Sequence, residues 1–184
     1  MAYSTPITAV ANATFTAAQF NASVRDNILE TPAAKFTAAG QMMISSAANA
    51  GAIRTPSFAR TGPALQTTTS TTPADLTTAG PIISTLSTGA SAIWVVSSYC
   101  ASSVAGAGAY MCCAVSGAST IAGDLLRSLR VISETAASNQ KMSYVGTFNT
   151  TLTPGSNTFT AKYASTSGAS TAGFDERELI VFPL

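Results

Sequence analysis

Three carboxylates stand together near the end of the chain, Asp175, Glu176 and Glu178, with Arg177 among them. Glu176 and Glu178 are two apart, so an extended strand projects both from one face. A carboxylate pair of that kind could work on a glycosidic bond or hold a calcium ion. Glycosidase carboxylates normally come from separated parts of a chain, however, and no second clear candidate stands elsewhere. The cluster therefore reads as a charged lead-in to a last strand, with Arg177 paired locally or across a subunit boundary.

The other reactive side chains are Cys100, Cys112 and Cys113. They have no metal-ligand spacing, and the adjacent Cys112 and Cys113 point to opposite faces of any strand that carries them. No histidine is present, which removes the commonest general base and the commonest metal ligand. Without a neighbouring base the thiols read as buried, reduced, small hydrophobes. No nucleophile elbow, phosphate loop or dinucleotide fingerprint occurs. The expectation is a protein that is not an enzyme, with no catalytic residues, no cofactor and no metal.

The elements around these residues read as β-structure. Ala92–Cys100 holds the single tryptophan and the densest cluster of β-branched and aromatic residues. Trp94 and Val96 share one face, and Ile93 and Val95 share the other, so both sides of this strand are apolar and both should be covered. Further strand-like runs lie at 81–87, 110–115, 129–134, 142–148, 158–164 and 178–182, separated by Gly, Pro, Asn and Ser. Short strands at this spacing predict an antiparallel β-sandwich of jelly-roll or related topology. The Thr-rich run 66–73 is either a linker or a first edge strand. Thr153-Pro154-Gly155-Ser156-Asn157 predicts a tight turn with Gly155 at positive φ. The Gly/Ala/Ser-rich breaks 102–108 and 165–173 predict flexible loops at one end of the sandwich, where a binding surface could sit. Asp124-Leu125-Leu126-Arg127 could open a helical turn.

The first third is different. Thr16-Ala17-Ala18-Gln19 fits a capping box, and Phe15 and Phe20 fit the hydrophobic staple that goes with it. Phe20, Val24 and Ile28 then recur every fourth residue, a narrow apolar stripe, until Thr31-Pro32 ends the helix. A helix over 16–30 is too short to be stable alone, so its stripe must dock onto something. Beyond it, Gln41–Ile44 could be a short strand, and residues 45–63 read as small, polar or irregular chain. Residues 1–65 are therefore an extended arm with a helix, and 66–184 the sandwich domain.

Composition restricts the setting. Charged residues are 9% of the 184, far below the ordinary quarter, while the hydrophobic share of 46% is normal. Ser, Thr and Asn supply the polarity, which suits a protein packed in an assembly. The net charge is +1, with no clustered Lys or Arg, so no nucleic-acid partner is expected. No apolar run reaches membrane-spanning length, and residues 1–6 lack the features of a secretory signal, so no membrane partner is expected and the product begins in the cytoplasm.

Phe15-Thr16-Ala17-Ala18-Gln19-Phe20-Asn21-Ala22-Ser23-Val24-Arg25-Asp26-Asn27 resembles the T-A-x-x-[FL]-N-x-x-V-R-D-N opening of many structural proteins of tailed bacteriophages, notably actinobacterial ones. There it is followed by segments like Pro32-Ala33-Ala34-Lys35 and Ala39-Gly40-Gln41. Leu152–Thr160 and Arg177–Leu184 are similar to the closing strands of β-domains in phage fibre, decoration and minor tail proteins. The resemblance implies a virion component assembled in the host cytoplasm, a homotrimer whose arm anchors to the major capsid protein or other virion proteins. It makes Phe15, Phe20, Val24, Arg25 and Ile28 the anchoring residues. It also makes Trp94, Val96, Arg177, Leu179 and Phe182 the trimer or core contacts, three sandwiches around an axis fitting a strand that is apolar on both faces.

Two roles compete within that resemblance. One is a capsid-decoration or head-fibre protein that stabilises the particle surface. The other is a tail fibre or minor tail protein that binds a host-surface glycan, for which Tyr110, Tyr163 and the Asp175/Glu176 pair are the available groups. The shortness of the chain, with no shaft, favours the first.

Overall fold

The computed structural model describes residues 7–8, 11–48 and 50–184, without the side chains of Pro32 and Ala33. The lead-in expected around Pro6 lies outside the described residues. The chain divides into two compact units, Met1–Thr55 and Pro56–Leu184.

The second unit is a two-sheet antiparallel sandwich built from β3 (Ser57–Thr61), β4 (Gln66–Thr68), β5 (Ile82–Thr88), β6 (Ala92–Ser102), β7 (Gly108–Gly117), β8 (Ser128–Ile132), β9 (Gln140–Phe148), β10 (Gly155–Ser165) and β11 (Ala172–Pro183). One sheet runs β5-β10-β7-β8; the other runs β3-β11-β6-β9, with β4 also on β11. Strands pair from the outside inwards, β3 with β11, β5 with β10, β6 with β9 and β7 with β8. That nesting is a long hairpin rolled up on itself, which is the jelly roll.

Alternation decides what lies between the sheets. Trp94, Val96 and Cys100 of β6, Leu179 and Val181 of β11, Met111, Cys113 and Val115 of β7, and Phe159, Ala161 and Tyr163 of β10 form the interior, all at most 3% exposed. Trp94 sits directly opposite Gly146 across the β6–β9 pair. A Cβ at 146 would fall within the indole, so only glycine lets the ring lie flat on the neighbouring backbone. Both faces of β6 are apolar, and this fit explains why the Trp94 face is the inner one.

Two expectations shift, and one open alternative is resolved. The strand Ser57–Thr61, read as irregular arm, pairs with β11 through Phe58↔Ile180 and Arg60↔Glu178, so the sandwich begins near residue 56 and not 66. Residues 66–68 are an edge strand on β11 and not a linker. Asp124–Arg127 forms a turn, in which the Asp124 carboxylate accepts from the Leu126 amide at 2.9 Å, and not a helix.

The first unit holds the helical stretch and a hairpin. Helix α1 (Ala17–Phe20) opens with the capping box: Thr16 Oγ1 accepts from the Gln19 amide at 3.2 Å, and Gln19 Oε1 accepts from the Thr16 amide at 2.9 Å. The chain continues through a π-helical segment (Asn21–Arg25) into α2 (Asp26–Leu29). Proline interrupts it as expected, then serves as the first residue of a further turn, α3 (Pro32–Lys35), where its missing N–H costs nothing. Strands β1 (Met42–Ala47) and β2 (Ala50–Arg54) pair as an antiparallel hairpin. The second of these falls where the sequence reads only as small and irregular.

Candidate interaction surfaces

The arm helix presents its apolar residues outwards. Phe15 is 56% exposed, Phe20 48%, Val24 38% and Ile28 58%, and Leu29 is exposed beside them. Phe15 and Phe20 meet edge to face, ring centroids 6.1 Å apart, which closes the staple. Arg25 lies next to Asp26, its guanidinium 2.8 Å from Oδ1. Such an exposed pair between sequence neighbours adds little stability, so the arginine is not held in place by it.

Among the described residues of this first unit, Glu30 is the only one fully buried. Its carboxylate meets Lys35 Nζ at 2.7 Å. That hydrogen bond and charge hold the Glu30 carboxyl below its usual range, against the opposing effect of burial. No described apolar side chain of residues 1–55 is buried. A short helix and a lone two-stranded hairpin without a core have almost nothing to offset the entropy of ordering them.

The residues expected at a trimer or core contact separate into two groups. Trp94, Val96, Arg177 and Leu179 are each no more than 2% exposed and point between the sheets of their own chain, so they are core and unavailable to a neighbour. Phe182 is half-buried on the opposite face of β11. Arg177 has no carboxylate partner among the described residues. Its Nη1 donates to the carbonyls of Thr78 at 3.1 Å and Gly80 at 3.3 Å, and its guanidinium stacks 5.6 Å from the centre of the Tyr163 ring. The Tyr163 hydroxyl donates to the same Gly80 carbonyl at 2.6 Å.

The acidic cluster is a set of ion pairs on the outer face of β11. A bulge at Asp175–Glu178, with Glu176 at φ +44°, turns Arg177 inwards and leaves both glutamates outside. Arg60 lies 3.4 Å from Glu176 and 3.6 Å from Glu178, and Lys141 lies 3.3 Å from Glu176. Among the described residues no three of His, Cys, Asp and Glu gather in a metal-holding group. No helix of the described residues is long and apolar enough to cross a membrane.

The thiols lie inside. Burial pushes Cys100 and Cys112 up to about 12 and Cys113 higher still. Of the tyrosines considered for a glycan, Tyr163 is fully buried, and its pKa is raised by the same desolvation. Tyr110 is half-buried, with the Arg130 guanidinium 5.5 Å from its ring centre.

The two small-residue loops do lie together. The Ser103 amide donates to the Thr171 carbonyl at 2.9 Å, and the Gly108 amide donates to Thr166 Oγ1 at 2.8 Å. They are more firmly held than their composition suggests, because the hydroxyls of Ser165 and Ser170 meet at 2.7 Å and both residues are buried. A shallow pocket of about 260 Å³ at the end of β6 is framed by Ser91, Ile93, Thr147, Phe148 and Asn149 and carries no ionisable side chain.

The second apolar face of β6 is legible in the sequence, but its extension across the β3-β11-β6-β9 sheet is not. One cross-strand row on it reads Phe58, Ile180, Val95, Val145, and the next adds Phe182 and Ile93. Alternation along β6 and β11 was the available signal; the pairing with β3 was not legible locally. In comparisons with known proteins, neither a family model nor a curated protein matches this chain.

Proposed function

We propose that this chain is a non-enzymatic structural component of a bacteriophage virion, a trimeric capsid-decoration or head-fibre protein anchored by its arm. The observation that carries the reading is the arm itself. Phe15, Phe20, Val24 and Ile28 form an exposed apolar ladder on a segment with no described core of its own, so its ordered state depends on a surface supplied by another protein. The resemblance of residues 15–27 to phage structural proteins says which kind of protein supplies it.

The sandwich supports a structural role. Glu176 and Glu178 are held in ion pairs, and the thiols are buried and protonated. Viral capsid and lectin domains both use jelly rolls, so the fold alone does not choose between decoration and glycan binding. The burial of Tyr163 and the ion-pairing of Glu176 remove two of the groups expected for glycan binding and leave Tyr110 and Asp175 half-buried. The test is the stoichiometry of the chain in purified particles by quantitative mass spectrometry. Copies in proportion to the major capsid protein are expected. A few copies confined to the tail or one vertex would overturn decoration.

A further inference from the structure

The outer face of the β3-β11-β6-β9 sheet has the build of an interface. Phe58 pairs with Ile180, Ile180 with Val95 and Val95 with Val145, so these four side chains form one continuous row across all four strands. Ile93 and Phe182, directly paired, extend it by a second row. Phe58 is 60% exposed and Val145 61%, and Ile93, Val95, Ile180 and Phe182 are partly exposed despite lying on central strands. Unlike the apolar side chains exposed singly elsewhere on the sandwich, these six are contiguous, and a contiguous apolar patch marks a contact surface.

Charges are absent from these rows and reappear at one margin. Arg60, Glu178, Glu176 and Lys141 lie there, linked by ion pairs at 3.3–3.6 Å. The face therefore has an apolar centre and a polar rim, the usual anatomy of a protein interface. Its rim contains both signs in balance, so the face does not repel its own copy, as a face of one sign would. Nor does it present an excess charge that would select an oppositely charged partner.

Size agrees with this. Strands about 4.8 Å apart, rising about 3.3 Å per residue, give the full four-strand face with its rim a footprint of roughly 600 Å² before side-chain corrugation, of which the two apolar rows cover roughly 250 Å². A standard interface buries about 800 Å² per partner. The flat, twisted shape is also the one that the two sheets of the chain already use to pack on each other.

We propose that this outer face is where the sandwich meets a second copy of the same chain, with Phe58, Val95, Val145 and Ile180 at the centre of the contact. This places self-association on the face opposite to Trp94 and Val96. It deepens the assembly reading but does not depend on the arm or on any particle.

The test uses the full-length chain at micromolar concentration in analytical ultracentrifugation, beside Val145→Asp and Phe58→Asp. Near-ultraviolet circular dichroism of Trp94 confirms that each variant is folded. The wild type should sediment as a multiple of 18.6 kDa, and each variant should fall to 18.6 kDa. A monomeric wild type would overturn the proposal, as would folded variants that keep the wild-type mass, because the copies would then meet elsewhere. Maleimide labelling of Val145→Cys identifies another occupant, since the native thiols are buried. A monomer protected at 145 would mean that its own arm covers the face, which also overturns the proposal. Particle incorporation is read separately, so the virion assignment can fail while this contact stands, and the reverse.

Discussion

Cys100, Cys112 and Cys113 keep their protons well past neutrality because burial penalises the thiolate. Well below pH 9.0 folded and unfolded chains both hold these protons, and the thiols contribute no pH dependence. As pH rises from there towards 12, the unfolded chain releases protons that the folded chain retains, so stability falls. Urea denaturation between pH 8 and pH 10.5 should show this loss, about 1.4 kcal/mol per thiol for each unit of pH fully inside the window. A flat profile would mean that the thiols are accessible. At Gly146 the constraint is steric. Gly146→Ala should cost about 2–3 kcal/mol by forcing Trp94 off the neighbouring backbone, measured by the same denaturation. Strand β6 itself was legible in the sequence as a Trp-bearing strand with two apolar faces. Which face is inside was not, because it depends on a glycine more than fifty positions away in the chain, at 146 against 94.

The capping box and staple were readable at the level of elements because every participant lies within six residues, and the structure contains each contact. Strand β3 was not readable. Its partner is the final strand, and Ser57–Thr61 alone has neither length nor clean alternation. The same applies to Tyr163: read as a group available to a glycan, it shares with Phe159 and Ala161 the face of β10 that the second sheet makes interior. Asn157 shows how distant elements are tied. Its Nδ2 donates to Thr88 Oγ1 at 2.8 Å and to the Thr153 carbonyl at 3.1 Å, while its Oδ1 accepts from the Ser119 amide at 2.8 Å. These bonds join β10 to the end of β5 and to two turns in a fully buried setting. Asn157→Ala should therefore lower stability by about 3 kcal/mol, since it strands buried partners as well as losing bonds. A change below about 1 kcal/mol in chemical denaturation would show that water replaces the amide.

The whole molecule joins two units of opposite character. Residues 56–184 enclose a continuous apolar core from Leu76 to Val181, while the described residues of 1–55 bury no apolar side chain. The lone helical pattern of the first third and the strand runs after it already marked two different parts of the chain. The division near residue 56 and the apolar outer sheet became visible only with the strand pairing in hand. On the proposed function, the arm attaches the sandwich to a virion surface. The most direct test of that claim compares the full chain with a chain lacking residues 1–31 for incorporation into particles, using circular dichroism to verify the β-domain. The shortened chain should remain folded and be lost from purified particles. Incorporation at the full-length level would contradict the claim.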